Sequence, residues 1–139
     1  MPEPRHDRGL IDTSVVIDLG GLDPADLPSE IAVSAVTLAE LAAGPHATGE
    51  LDERARRQDL LQRTEAMFES LPVNGAVARA YGRVYAAVAA AERKAHGRRS
   101  FDLLIAATAL AAELPLYTRN PNDFEELEGL LEVVDVPVP

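Results

Sequence analysis

The chain has 139 residues, enough to bury a hydrophobic core, and 47% of them are hydrophobic but only 4% aromatic, so the core is built from Ala, Leu and Val. There is no cysteine, which excludes disulfides, thiolate metal sites and a cysteine nucleophile. The formal net charge of −10 is the wrong sign for a nucleic-acid binder that relies on a basic surface. Either the chain never meets nucleic acid, or metal ions and a few arginines supply positive charge locally. The arginines cluster at Arg54, Arg56 and Arg57 and again, with Lys94, at Arg93, Arg98 and Arg99, a pattern commonest on solvated helix faces.

The N-terminal MPEPRHDRG is polar, without the apolar stretch of a signal peptide. No apolar run approaches the about 18 residues that span a membrane, and a cytoplasmic protein is expected. RGLID (Arg8–Asp12) reads as a short buried strand of a parallel sheet. Thr13 or Ser14 can cap a helix through SVVIDL that stops at Gly20–Gly21. LDPADLPSE is a loop broken by Pro24 and Pro28, and Ile31–Ser34 is a second strand. Ser34 or Thr37 caps a helix VTLAELAAG ending at Gly44–Pro45.

Leu60, Leu61, Thr64, Met67, Phe68 and Leu71 recur at helical spacing between Leu51 and about Ser70. Leu71–Val73 reads as a third strand, and Asn74 opens a long helix from Gly75 to about Lys94. HGRRS reads as a loop, with Ser100 capping an apolar helix FDLLIAATALAAEL that Pro115 ends. LYT (Leu116–Thr118) is a fourth strand, NPNDFEEL a turn into a short helix, and LLEVVDV contains a last, edge-like strand. Strands alternating with helices imply an α/β fold with a mainly parallel sheet of four to five strands, and the whole of 1–139 reads as one domain.

In such a sheet ligands bind at the carboxyl ends of the strands. Asp12 ends the first strand, Asp123 follows the fourth, and Glu40 and Asp102 lie in the first turns of helices. Singly, each acid has a structural reading: a helix cap at Asp12, a solvent-facing Glu40, a helix-dipole acid at Asp102, a turn residue at Asp123. Brought to one sheet edge they form a carboxylate cup suited to hard divalent cations and phosphodiester hydrolysis. His6, His46 and His96 fit no ligand spacing with them. A phosphatase would need Asp-x-Asp where Thr13 and Ser14 stand. A receiver would need a lysine after a late strand, and no glycine-rich phosphate loop follows the first strand.

The segments LIDTSVVIDL, VSAVTLAELAAG and FDLLIAATALAAELPLYTRNPNDFEEL resemble the PIN-domain nucleases, most closely the VapC-type toxins of bacterial toxin–antitoxin pairs. The resemblance implies a three-layer α/β/α sandwich and a Mg²⁺- or Mn²⁺-dependent endoribonuclease. Its acidic quartet falls on Asp12, Glu40, Asp102 and Asp123. Asp12 and Asp102 match direct metal ligands, Glu40 binds metal or orients the attacking water, and Asp123 acts through a bridging water. Thr13, Ser14, Thr118 and Asn120 match small polar residues that hydrogen-bond the carboxylates or the scissile phosphate. Arg119 contacts phosphate or pairs with an acid. The resemblance also implies an RNA substrate, 5′-phosphate products, a homodimer, and an antitoxin partner laying a basic C-terminal segment over the groove. A housekeeping PIN nuclease and a catalytically weak, protein-binding member are the alternatives.

Overall fold

In the computed structural model, which describes residues 6–91 and 98–137, five short strands form one sheet. They are β1 (Arg8–Ile11), β2 (Glu30–Ser34), β3 (Glu69–Leu71), β4 (Leu116–Thr118) and β5 (Val133–Asp135). Every pairing is parallel and the order is β3-β2-β1-β4-β5. Leu10 aligns with Ala32 on one side and with Leu116 on the other. The chain therefore builds outward from β1 in one direction, then returns to its other side with β4. The carboxyl ends of β1 and β4 flank the point where the order reverses, which is where open parallel sheets bind ligands.

The helices are α1 (Thr13–Asp18), α2 (Ala35–Ala43), α3 (Leu51–Met67), α4 (Gly75–Ala90) and α5 (Arg98–Ala111). Side chains alternate across each strand, and this splits the core in two. Leu10, Ala32 and Leu116 pack with Val77, Val84 and Val88 of α4 and Leu103, Ala106 and Ala107 of α5. On the opposite face Ile11, Val33, Tyr117 and Val134 meet Val15 and Val16 of α1 and Leu41 of α2, with Leu60, Leu61 and Phe68 against them. This is the expected three-layer α/β/α sandwich, with five strands.

Three differences from the sequence reading have a local cause. The third strand is Glu69–Leu71, not Leu71–Val73, because Pro72 has no amide proton for a sheet bond and α3 already ends at Met67. HGRRS is not all loop: α5 begins at Arg98, so Ser100 lies inside its first turn rather than capping it. The cap of α1 is Asp12 itself, neither Thr13 nor Ser14. Ser34, by contrast, caps α2 as expected, accepting from the Val36 amide at 3.0 Å. The far end expected for the Gly75 helix, near Lys94, lies outside the described residues, as does His96. No helix among the described residues is long and apolar enough to cross a membrane.

Candidate active site

Asp12 follows β1 directly and its backbone N–H donates to the Tyr117 carbonyl of β4 at 3.0 Å, so the sheet itself holds it at the reversal point. As N-cap of α1 its Oδ1 accepts from the Val15 amide at 3.2 Å and from Ser14 Oγ at 2.5 Å. The side chain is 6% exposed. Burial pushes its carboxyl above the ordinary value, and hydrogen bonds from Ser14, Thr118 and the Val15 and Ser14 amides pull the other way. Capping the helix and standing at the reversal point are thus one placement for Asp12.

Ser14 Oγ also accepts the Arg119 backbone N–H at 3.2 Å, tying the end of β4 to Asp12. Thr118 is fully buried, and its Oγ1 accepts the Asn120 backbone N–H at 3.0 Å. Asn120 therefore enters the site through its main chain. Arg119 pairs with Asp18 of α1, the second of the two roles open to it.

Glu40 stands in the middle of α2, on the turn that faces α1. Thr13 Oγ1 donates to Glu40 Oε1 at 2.7 Å and lies 3.1 Å from Thr37 Oγ1. A carboxylate meant only for solvent would not be held this way. Asp102 lies in the second turn of α5, since that helix starts earlier than its sequence suggests. Helix-dipole stabilisation fades beyond the first turn, so a purely dipolar role for Asp102 is weakened. Asp123 lies in a 3₁₀ segment, Pro121–Leu127, whose Phe124 and Leu127 are buried in the core while Asp123 stays exposed.

Electrostatics bring the four acids together. The Asp102 carboxyl is pushed up to about 6, first by burial, then by repulsion from Glu40, Asp12 and Asp123, with Arg99 opposing. Residues from four separate segments thus share one field at the reversal point. They do not close into a cage: among the described residues no three acidic or histidine side chains stand close enough to grip an ion unaided. His46 is exposed and His6 pairs with Glu132 at 2.9 Å. A cleft of about 620 Å³ opens beside Thr13 and Glu40 and is lined on its α3 side by Arg56, Arg57 and Arg63.

The family model for the PIN domain matches residues 9–130. The chain belongs to the PIN-domain family. Among individual relatives of this PIN domain, Ribonuclease VapC5 of Mycobacterium tuberculosis is 38% identical over 128 residues, 90% of this chain and 91% of the relative. Ribonuclease VapC8 of the same species is 40% identical over 114 residues, 78% and 96% of the two chains. Among solved structures, the toxin–antitoxin complex VapBC-5 of M. tuberculosis contains a chain that superposes with a TM-score of 0.80 at 38% identity, covering 95% of this chain and 99% of that one.

Arg99 and Thr37, read in the sequence only as a clustered arginine and a cap candidate, and Asp18, not named there, belong to the neighbourhood of this PIN-domain site. Thr37 falls three residues before Glu40, and Arg99 three before Asp102. One helical turn places such pairs on one face, and that spacing was the available signal.

Proposed function

We propose that this PIN domain, spanning the whole chain, is a metal-dependent endoribonuclease and the toxin of a type II toxin–antitoxin pair acting in the cytoplasm. The observation that carries the reading is that Asp12, Glu40 and Asp123, each from another segment, add their charge to the burial that raises the Asp102 carboxyl beside the reversal point. Relatives named as ribonucleases at 38% and 40% identity support it.

The donor set fits Mg²⁺ or Mn²⁺. All its atoms are oxygens, and Mg²⁺ keeps several waters and needs only one or two carboxylates, so an open cup suits it better than a closed cage. Burial and then repulsion from Glu40, Asp12 and Asp123 raise the Asp102 carboxyl, and a bound cation would offset both. Asp12 and Asp102 are the proposed direct ligands. Bound there, the ion supplies Lewis-acid polarisation of the phosphodiester and a water acidic enough to attack at neutral pH.

The remaining work falls to side chains of this chain. Thr13 keeps the Glu40 carboxylate aimed into the cup, where it orients the attacking water and takes its proton. Ser14 and the Val15 amide occupy Oδ1 of Asp12 and fix its rotamer. Asp123, exposed at the rim, would reach a bound ion through a water. Attack in line with the leaving 3′-oxygen leaves a 5′-phosphate on the released strand. The cognate antitoxin is expected to cover the cup with a basic C-terminal segment, and a homodimer is expected.

The test is cleavage of total RNA by purified protein. Cutting should require Mg²⁺ or Mn²⁺ and stop with EDTA. Asp12→Asn and Asp102→Asn should each abolish it while the circular dichroism spectrum is retained. Undiminished cleavage by both variants would refute the site.

A further inference from the structure

Arg99 lies in the first turn of α5, three residues before Asp102, so the two share one face of the helix. Its side chain is 15% exposed and makes an ion pair with Glu126, whose own side chain is 4% exposed. Arg99 NH1 also donates to the Asp123 backbone carbonyl at 2.6 Å. Asp123 and Glu126 are three apart in a 3₁₀ segment, a spacing that stacks them on one edge. One guanidinium fork therefore clasps two successive turns of the segment that carries Asp123.

A buried ion pair is a poor device for stability, because desolvating both charges offsets their attraction and an apolar pair of similar volume does as well. Arg99 Nε is moreover buried with no partner, a cost that a Met or Leu at 99 would avoid. What a planar fork gives that an apolar contact does not is a fixed distance and direction. The geometry points to Arg99 as the positioning residue of this site: through its bonds to Glu126 and the Asp123 carbonyl it sets where the Asp123 carboxylate stands relative to Asp102. Arg99 does not touch the substrate. It acts through Asp123, and its partner Glu126 is as much part of the device as the arginine. This rests on the nuclease reading of the site, in which Asp123 serves the ion from the rim.

The experiment is a coupling measurement on Mn²⁺ affinity, read by calorimetry without RNA. Arg99→Lys keeps the charge but cannot span both contacts. The pair Arg99→Met with Glu126→Leu removes both buried charges together and guards against misfolding. Each is made alone and combined with Asp123→Asn. Both should retain the circular dichroism spectrum and weaken Mn²⁺ binding by about 10- to 100-fold, the range for groups that orient ligands. In the Asp123→Asn background the same changes should cost less than about threefold. Unaltered Mn²⁺ affinity, or an undiminished loss when Asp123 is already Asn, overturns the positioning role. Coupled Mn²⁺ binding in a protein that leaves RNA intact refutes the nuclease reading while the positioning role stands. Absence of Mn²⁺ binding by the unsubstituted protein overturns both.

Discussion

Replacing Asp102 by Asn should make the metal-free protein more stable while destroying the site. The folded chain raises this carboxyl from 3.8 to about 6, so it holds the proton more tightly than the unfolded chain does. The group costs the fold nothing below about pH 4, where it is protonated in both states. Stability is lost as pH rises from there through about 6, and above that the full loss is present. At 1.36 kcal/mol per tenfold the rise corresponds to ~3 kcal/mol, and screening by solvent at a half-exposed group reduces it to about 1–2 kcal/mol. For a domain of this size that is a gain of roughly 3–6 °C in unfolding midpoint. The assay is thermal unfolding in EDTA of wild type and Asp102→Asn at pH 7.5 and again at pH 4.5. The gain at pH 7.5 should shrink to roughly a third at pH 4.5, where most of the folded carboxylate is already protonated. Added Mg²⁺ should stabilise wild type and not the variant. An Asn variant no more stable than wild type at pH 7.5, or one whose advantage is the same at both pH values, refutes the raised carboxyl that burial and the neighbouring acids produce.

Ser14→Ala removes the 2.5 Å bond to Asp12 Oδ1 and the anchor of the Arg119 amide. Cleavage should fall about 10- to 100-fold with the fold intact by circular dichroism. Thr13→Val, which keeps the shape but cannot donate to Glu40, should lower kcat by about tenfold with less effect on KM, as single-turnover kinetics will show. Gly9→Ala is a stability prediction: a Cβ there would lie 2.6 Å from Cε1 of Tyr117, a side chain only 2% exposed. Overpacking of that kind costs about 1–3 kcal/mol, measurable as a lowered urea midpoint with an unchanged slope.

The layer architecture was legible because its signals are local and repeated. Apolar runs at Leu10–Ile11, Ala32–Val33 and Leu116–Tyr117 are buried on both faces, as continuous runs in a parallel sheet must be. The boundaries that escaped have local causes. At α1 the sequence offered Asp12, Thr13 and Ser14 as caps, and Asp12 is the one that caps it while also facing the cup. The start of α5 escaped because Gly97 and the adjacent arginines read as a loop. Pro72 fixed the end of β3 on its near side, and only strand pairing with β2 shows that the strand precedes it. Within the candidate site, the acids and the small polar residues Thr13, Ser14 and Thr118 beside them were legible from the sequence, but which support meets which acid was not. The Thr13–Glu40 and Arg99–Glu126 contacts join residues 27 apart in sequence. Spacing along one helix cannot reveal a bond to another element.

The charge balance that argued against nucleic acid now bears on what fills the cup. Several arginines are engaged with the chain's own acids: Arg8 with Glu69, Arg56 and Arg57 with Glu53, Arg63 with Asp59, Arg119 with Asp18. Arg54 instead caps the carbonyls of Pro45 and Thr48. The net charge of −10 is therefore not masked by an uncommitted basic patch built from these residues, and Asp12, Glu40, Asp102 and Asp123 concentrate part of it at one point. RNA cannot approach such a point unless positive charge arrives first. On the proposed reading that charge is either the metal ions, which license cutting, or a basic segment of the antitoxin, which blocks it. Both satisfy the same carboxylates, so they compete, and activation and inhibition become alternative ways of neutralising one cluster.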